Sequence, residues 1–164
     1  MKLSKQQLAE LISIIESTPT ANEKEMEELR VNAPGVYNNK RWLSANNITF
    51  YSLKHKPLNN FVRSLTNYDE ETLTSIHKIH YGKGSKITEH TDFSDLTCVI
   101  ILANNSEGGD FIMNGKKVKF KEEGEYMVYN GKKTLHEVTE ITNGDRVVLA
   151  FFHRDNKINK KKLI

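Results

Sequence analysis

The stretch "LTCVIILANNSEGGDFIMNGKKVKF", residues 96–120, shows the pattern that decides the fold. A mostly apolar run opens it, a turn rich in asparagine and glycine follows, and two shorter alternating segments come next. From about residue 74 onward, eight segments of this kind follow one another, separated by glycine, asparagine or acidic turns: TSIHKIHY, KITEHTD, LTCVIILA, GDFIMN, KKVKF, GEYMVYN, HEVTEI and DRVVLAFFHR. Because hardly any helical pattern interrupts them, they predict an antiparallel β-sandwich or barrel.

The part of the chain before these segments predicts helices. Ser4 followed three residues later by Gln7 is a capping-box pattern, and apolar residues then recur at helical spacing, so we expect an amphipathic helix that ends before Pro19. A short helix is expected after Pro57, in PLNNFVRSL. The polar stretch 20–47 predicts a long excursion without regular structure.

The domain organisation follows from these patterns and from length. A chain of 164 residues fits one domain, since domains of roughly 100 to 200 residues are usual. We expect a single α+β, mainly β domain over residues 1–164, with helices first and a small β-sandwich core after them. Residues 1–73 would be helical support and loop, 74–154 the core, and 155–164 a basic tail.

Composition excludes several classes of protein. Hydrophobic residues make up 37% and charged residues 27%, the balance of a soluble globular protein, and no apolar run approaches the roughly 20 residues that span a bilayer. The start of the chain lacks the unbroken apolar stretch of a signal peptide. The single Cys98 excludes an intrachain disulfide and a cysteine-based zinc site, and its apolar surroundings predict a buried thiol. We therefore expect a cytoplasmic protein with no membrane partner.

The charge balance gives no reason to expect a nucleic-acid partner. The net charge of +3 comes from 24 Lys and Arg against 21 Asp and Glu, and much of the excess lies in the last eight residues, KINKKKLI. Such a tail is typical of a solvated chain end rather than of a nucleic-acid-binding arm.

A metal site is predicted around "HYGKGSKITEHTDFSD", residues 80–95. On a strand, His90 and Asp92 are two positions apart and point to the same face, as two ligands of one metal ion must. His136, which opens a later strand segment, is the candidate third ligand. Two histidines and one carboxylate leave three coordination positions open, the arrangement of non-haem Fe(II) sites that bind a co-substrate and O₂.

The other histidines are not expected to bind a metal ion. His153-Arg154-Asp155 repeats the H-x-D spacing, but no histidine follows it to complete a set of ligands. His55, His77 and His80 are expected to be surface or packed histidines.

The motifs around these residues resemble the 2-oxoglutarate- and Fe(II)-dependent dioxygenases, and among them the prolyl 4-hydroxylase-like group that includes the PKHD-type hydroxylases. The similarity covers about residues 76–152. It implies a double-stranded β-helix (jelly-roll) core with the N-terminal helices packed on one sheet. The motifs that carry the similarity are Tyr81-Gly82-Lys83-Gly84, His90-x-Asp92, LTCVIILANNSEGGDF, Gly124-Glu125, His136-x-Val138 and Gly144-x-Arg146.

This resemblance implies roles for individual residues. His90, Asp92 and His136 would bind Fe(II), and all three with Arg146 would be the catalytic residues. Arg146 stands ten positions after His136, where the family has the basic residue that receives the far carboxylate of 2-oxoglutarate. Arginine suits this role because its planar guanidinium can grip a carboxylate with two parallel hydrogen bonds. A surface ion pair with Asp145 is the alternative for Arg146.

The resemblance also implies a co-substrate pocket. The hydroxyl of Tyr81 would help to bind the same carboxylate, and Thr97 would face the co-substrate. Val99, Ile101 and Val148 would form an apolar floor, with the Cys98 side chain directed away from it. Gly108 and Gly109 match a structural turn and are not expected to take part in catalysis.

The implied reaction hydroxylates a C–H bond with O₂ and decarboxylates 2-oxoglutarate to succinate and CO₂. The implied substrate is a prolyl residue in a peptide or protein, covered by a lid from residues 23–44 or 67–71. Tyr37, Arg41 and Trp42 could contact a peptide there or simply pack against the sandwich. A nucleobase or free metabolite as substrate, or a cupin-like barrel that binds a metal or an acid without turnover, are the alternatives. A requirement for ascorbate and the oligomeric state stay open.

Overall fold

The computed structural model describes residues 1–32, 46–68 and 72–154. Three α-helices and eleven β-strands form these parts of the chain. The helices are α1 (Lys5–Ser17), α2 (Glu23–Asn32) and α3 (Lys56–Thr66). The strands are β1 (Asn46–Phe50), β2 (Leu73–Tyr81), β3 (Ile87–His90), β4 (Leu96–Asn104), β5 (Glu107–Gly108), β6 (Phe111–Met113), β7 (Lys116–Val118), β8 (Tyr126–Tyr129), β9 (His136–Val138), β10 (Ile141–Asn143) and β11 (Arg146–His153).

The strands form two facing layers with antiparallel pairing. A five-stranded sheet has the order β1-β2-β11-β4-β8, and a four-stranded sheet has the order β3-β9-β6-β7, with β10 and β5 as a separate pair. Side chains of both sheets meet in one inner core, where Ile79 and Val148 of the larger sheet pack with Phe111 and Val138 of the smaller one. The predicted mainly β jelly-roll core is confirmed.

The five-stranded sheet is buried on both faces because the helices cover its outer side. Along β11, Leu149 and Phe151 belong to an outer core with residues of α1 and α3, whereas Val148, Ala150 and Phe152 belong to the inner core. Successive strand residues point to opposite faces, so a strand buried on both faces must be apolar throughout, as RVVLAFF is. The predicted packing of N-terminal helices on one sheet is confirmed for α1 and α3.

The two predicted helices begin and end where the sequence indicates. The Ser4 hydroxyl accepts a hydrogen bond from the Gln7 backbone N–H (3.1 Å), and the Gln7 side chain accepts one from the Ser4 N–H (2.9 Å), which completes the capping box. Helix α1 ends at Ser17, before Pro19. Helix α3 has Pro57 in its first turn and ends at Thr66, and the cap residue Asn67 follows in the left-handed conformation, with φ of 53°.

The prediction of an irregular excursion over residues 20–47 is wrong for its described parts, which contain α2 and the start of β1, whereas residues 33–45 lie outside the described ranges. Asn22 and Glu25 cap α2 reciprocally: the Asn22 side chain accepts from the Glu25 N–H (2.9 Å), and the Glu25 carboxylate accepts from the Asn22 N–H (3.3 Å). Leu29 of α2 is buried in the inner core, with Met26 partly buried beside it. Only these two side chains mark the apolar face of an otherwise charged helix, so the periodic signal is weak.

Three other details differ from the eight predicted strand segments. HEVTEI divides into two strands, β9 and β10, which pair with different partners. The two-residue strand β5 pairs with β10, and β1 adds a strand at the edge of the larger sheet beside β2. Cys98 is buried in the outer core, as predicted.

Several predictions fall outside the described residues. These include Tyr37, Arg41 and Trp42, the parts 33–44 and 69–71 of the predicted lid, and the tail 155–164. Within the described ranges, no helix has the length and apolar character needed to cross a membrane.

Candidate metal centre

The side chains of His90, Asp92 and His136 converge at one buried point. His90 ends β3, His136 begins β9, and the two residues are direct partners in the antiparallel pairing of these strands. The His90 Nε2 atom lies 3.3 Å from Asp92 Oδ1, and the His136 Nε2 atom lies 3.4 Å from Asp92 Oδ2. One ligand atom from each residue lies within 4.8 Å of the other two, the compactness that a single metal ion requires.

The position of Asp92 does not come from strand alternation, as the sequence suggested, because β3 ends at His90. Asp92 lies in the following turn, where its backbone N–H donates to the Gly131 carbonyl (2.9 Å). The pairing of this turn with the segment before β9 therefore directs the carboxylate toward the two imidazoles.

Both imidazoles are oriented for metal binding by backbone carbonyls. The Nδ1 atom of His90 lies 2.7 Å from the Thr88 carbonyl oxygen, and that of His136 lies 2.9 Å from the Thr134 carbonyl oxygen. A carbonyl can only accept, so each Nδ1 carries a proton and each Nε2 is the ring atom directed at Asp92. A cation belongs between these nitrogens and the carboxylate, either a proton in the metal-free site or a metal ion, and two imidazoles with one carboxylate suit Fe(II). The residues present therefore fit a metal ion.

The electrostatics keep the carboxylate ionised. Burial opposes the negative charge of Asp92, but hydrogen bonds from His136 and His90 and their charges outweigh burial and hold the pKa of Asp92 below its usual value. Burial also lowers the pKa of His136, and the hydrogen bond and charge of Asp92 raise it above the ordinary value. The site is thus built around a fixed negative charge, for which a metal cation and a proton compete.

A partly enclosed cavity between the two sheets extends from these three residues. Tyr81, Thr97, Val99 and Val148 line it, which agrees with their predicted places, whereas Ile101 is buried in the same inner core without reaching the wall. The other residues of the wall are Ile79, Ile87, Phe111, Tyr129, Glu137, Val138, Ala150 and Phe152. The cavity is therefore an apolar chamber with the metal-binding groups at one place in its wall.

Arg146 is buried beside this chamber, but its side chain does not line the wall. It lies opposite Tyr81 in the pairing of β11 with β2, so both side chains belong to the inner face of the sheet. Its Nη1 donates to the Gly109 carbonyl oxygen (2.7 Å), and its Nη2 donates to the Gly108 carbonyl oxygen at 3.4 Å. The alternative of a surface ion pair with Asp145 is wrong, because Arg146 is only 3% exposed.

The Arg146 guanidinium lacks an anionic partner in the described parts of the chain. Its Nε is buried with no hydrogen-bond partner there, and the nearby Asp110 pairs instead with Lys117 and Lys121. Burial lowers the pKa of Arg146, while the charges of Tyr81 and Asp110 act to raise it. A buried arginine without a carboxylate is costly, so this site fits a small anionic ligand.

The turn at Gly108 and Gly109 is structural, as predicted. Both residues have positive φ, 75° and 62°. A side chain at Gly109 would collide with Ile141 and lie 2.9 Å from the Arg146 Nη2 atom, so glycine is what allows the guanidinium to occupy its place.

Thr97 makes a contact that the sequence did not predict. Its hydroxyl donates to Asp92 Oδ2 (2.8 Å), so Thr97 touches a metal-ligating carboxylate as well as lining the cavity. Tyr129 was also missed, although its ring packs edge-on against His136 with centroids 5.1 Å apart. The alternation in YMVY would place Tyr129 on the inner face, but nothing local indicates which imidazole it meets.

The remaining histidines are structural where they are buried. His77 is fully buried and stacks on Phe152, and burial lowers its pKa to about 3. His153 is fully buried too, and its Nδ1 lies 3.0 Å from the Thr72 hydroxyl. Asp155, the other half of the second H-x-D motif, lies outside the described residues.

Comparisons with known proteins show what the chain resembles. No protein-family model and no curated protein matches the sequence. Among solved structures, an oxidoreductase of the 2OG-Fe(II) oxygenase family from Burkholderia pseudomallei is 14% identical with a TM-score of 0.61, over 98% of this chain and 84% of that one. A prolyl-4-hydroxylase from Pseudomonas putida is 15% identical with a TM-score of 0.54, over 91% and 100% of the two chains.

A third similar structure is of viral origin. The viral collagen prolyl hydroxylase of Paramecium Bursaria Chlorella virus-1, solved with 2OG, is 14% identical with a TM-score of 0.53, over 83% of this chain and 92% of that one. The chain shares the fold of these three proteins.

Proposed function

We propose that this protein is a 2-oxoglutarate- and Fe(II)-dependent dioxygenase that hydroxylates a C–H bond and decarboxylates 2-oxoglutarate to succinate and CO₂. The observation that carries the proposal is the convergence of His90, Asp92 and His136 within 4.8 Å, at the wall of a buried apolar cavity. The shared fold with 2OG-Fe(II) oxygenases supports it.

The three ligands leave coordination positions for co-substrate and O₂. His90 and His136 would bind the metal through Nε2, because their Nδ1 protons are held by backbone carbonyls, and Asp92 supplies the negative charge. When bound, Fe(II) supplies the activation of O₂ and the oxidation of 2-oxoglutarate; the protein supplies position and the exclusion of water.

Arg146 and Tyr81 are proposed to hold the far carboxylate of 2-oxoglutarate. The Tyr81 side chain lines the cavity and is fully buried, and burial raises its pKa, so it keeps its proton and can donate it. Arg146 shares the inner face with Tyr81 and has a buried Nε–H without an acceptor among the described residues. A carboxylate near both groups would satisfy the guanidinium.

The apolar wall has a chemical use in this reaction. Val99, Val148 and Ala150 surround the space beyond the metal-binding groups with side chains that neither donate nor accept hydrogen bonds. Excluding water strengthens the electrostatic interactions inside the site and prevents side reactions of a strong oxidant.

The proposed substrate is a prolyl residue in a peptide or protein. Two proteins with the same fold are prolyl hydroxylases by description, one of them a collagen prolyl hydroxylase. We further propose that the protein acts in the cytoplasm, without a nucleic-acid partner.

Succinate release tests the proposal. Purified protein with Fe(II), O₂ and 2-oxoglutarate is expected to release succinate, and proline-containing peptides are expected to accelerate the release. His136→Ala removes one ligand and should lower the rate of succinate release by more than about 100-fold. Loss of a residue that only contacts a metal ligand typically lowers activity by about 10- to 100-fold, and loss of the ligand itself should lower it further. His80→Ala is the matched control, because His80 is exposed on β2 and pairs with Asp145 at the surface; it should keep the wild-type rate.

Two outcomes would contradict the proposed activity. The first is that wild-type protein releases no succinate with Fe(II), with or without peptides. The second is that His136→Ala, folded by circular dichroism, turns over 2-oxoglutarate as fast as His80→Ala.

A further inference from the structure

The buried hydroxyls of Ser94 and Thr97 form a chain of hydrogen bonds that ends at the carboxylate of Asp92. The Thr97 hydroxyl donates to Asp92 Oδ2 over 2.8 Å, and the Ser94 hydroxyl lies 2.7 Å from the Thr97 oxygen. Both side chains are 1% exposed. Neither contact follows from the proposed roles of the metal ligands or of the co-substrate pocket.

The direction of the two hydrogen bonds can be assigned. An ionised carboxylate only accepts, so the single Thr97 proton points to Asp92. Ser94 must then donate its own proton to the Thr97 oxygen. Hydrogen bonds arranged head to tail polarise each other, so the pair donates more strongly to Oδ2 than Thr97 would alone.

Gly131 provides the space for this arrangement. A Cβ atom at position 131 would lie 2.6 Å from the Thr97 hydroxyl oxygen and 2.7 Å from Asp92 Cβ, and it would collide with the Ser94 hydroxyl. No real Cβ atom tolerates such contacts, and Gly131 is itself buried. The sequence YNGKK suggests an ordinary hairpin glycine, but this position is glycine because three side chains of the site converge on it.

The backbone fixes the same assembly from both sides. The Asp92 N–H donates to the Gly131 carbonyl oxygen (2.9 Å), and the Lys132 N–H donates to the Ser94 carbonyl oxygen (2.9 Å). The turn that carries Asp92 and Ser94 is therefore bound directly to the segment that leads to His136.

We propose that Ser94 and Thr97, seated against Gly131, form a positioning pair that holds Oδ2 of Asp92 and leaves Oδ1 as the oxygen that binds the metal. This inference rests on the proposed function, since it concerns the same metal ion. Oδ1 faces the His90 Nε2 atom at 3.3 Å and Oδ2 faces the His136 Nε2 atom at 3.4 Å, and among the described residues only Oδ2 also accepts a hydrogen bond from a hydroxyl.

Whether Asp92 binds the metal ion through one oxygen or two decides how many coordination positions stay open for 2-oxoglutarate and O₂. A carboxylate that binds through both oxygens takes two positions of an octahedral ion, and then only two remain beside the histidines. Two positions suffice for the two oxygens of bound 2-oxoglutarate and leave none for O₂. The hydroxyl pair thus preserves the third open position.

The test compares Co(II) binding to variants that differ in one hydroxyl. Thr97→Val keeps the shape and removes the donor, and we expect Co(II) affinity to fall by about 10- to 100-fold, as for other outer-sphere partners. The visible absorption of bound Co(II) should also change, because it reports the number of ligands. Thr97→Ser restores the hydroxyl and should return affinity and spectrum to near wild type.

Two further variants separate the proposed role from general effects on folding. Thr66→Val removes an equally buried threonine hydroxyl, which in α3 donates to the Val62 carbonyl oxygen (3.1 Å), and it should leave Co(II) binding unchanged. Ser94→Ala leaves the Thr97 hydroxyl in place and should weaken Co(II) binding by a smaller factor, which keeps the test decisive if Thr97→Val does not fold.

The outcomes distinguish this inference from the proposed function. Wild-type protein that binds no Co(II) would overturn both. Wild-type protein that binds Co(II), with unchanged affinity and spectrum in Thr97→Val or in Ser94→Ala, would overturn the positioning pair alone. A loss in Thr97→Ser as large as that in Thr97→Val would also overturn it, since packing rather than the hydroxyl would then be responsible.

Discussion

Arg146 offers a prediction at the scale of one residue. Arg146→Ala should raise the concentration of 2-oxoglutarate required for half-maximal turnover by about 100-fold or more, because the far carboxylate would be left in a partly apolar pocket without a counter-ion. Arg146→Lys keeps the charge without the planar fork and should have an intermediate effect. Steady-state succinate release measures both. An unchanged requirement in Arg146→Ala would remove Arg146 from the co-substrate site.

The side chains of the metal site differ in how far the sequence reveals their contacts. The group of His90, Asp92 and His136 was predicted, because residue type and resemblance to a family both indicate metal ligands. The contact of Thr97 with Asp92 was not predicted, because it depends on a turn that pairs with Gly131, 39 positions after Asp92 and beyond the reach of any helical or strand period. Residue types thus indicate the chemistry of the site, whereas hydrogen bonds between distant turns leave no local pattern in the sequence.

Helices and strands were predicted where their local signals agree with their burial. Helix α1 has a capping box and a full apolar stripe, and β4 and β11 are continuous apolar runs because both faces of their sheet are covered. Helix α2 was missed because three apolar side chains, of which Val31 is exposed, cannot outweigh six charged ones in EKEMEELRVN. What holds α2 is a tertiary contact, the burial of Leu29 in the inner core, which no local pattern reports.

The burial of Leu29 can be tested against its exposed neighbour. Leu29 is 4% exposed, whereas Val31, two positions along the same helix, is 69% exposed. Leu29→Ala should lower the free energy of unfolding by about 2–4 kcal/mol, since it removes packed methyl groups and leaves a cavity. Val31→Ala should change it by about 0.5 kcal/mol or less. Urea unfolding measures both, and equal effects would show that α2 does not pack on the inner core.

At the scale of the whole molecule, the five-stranded sheet is the middle layer of three. Helices α1 and α3 cover the outer face of the five-stranded sheet, and the four-stranded sheet covers its inner face, with the cavity between the sheets. The sequence predicted this architecture, because many short strands after helical segments admit few arrangements. It did not predict which strands pair, since β3 with β9 and β2 with β11 are distant in the chain.

Those distant pairings are what assemble the metal centre. The pairing of β3 with β9 brings His90 opposite His136, and the pairing of β11 with β2 brings Arg146 opposite Tyr81. A fold with the same elements and another strand order would contain the same residues without a site.

The central claim is that His90, Asp92 and His136 together bind one metal ion. Anomalous diffraction from crystals grown with Mn(II), which prefers similar oxygen and nitrogen ligands and resists oxidation, tests it most directly. We expect one strong anomalous peak bonded to His90 Nε2, His136 Nε2 and an Asp92 carboxylate oxygen. A peak elsewhere, or no peak at these three side chains at saturating Mn(II), would contradict it.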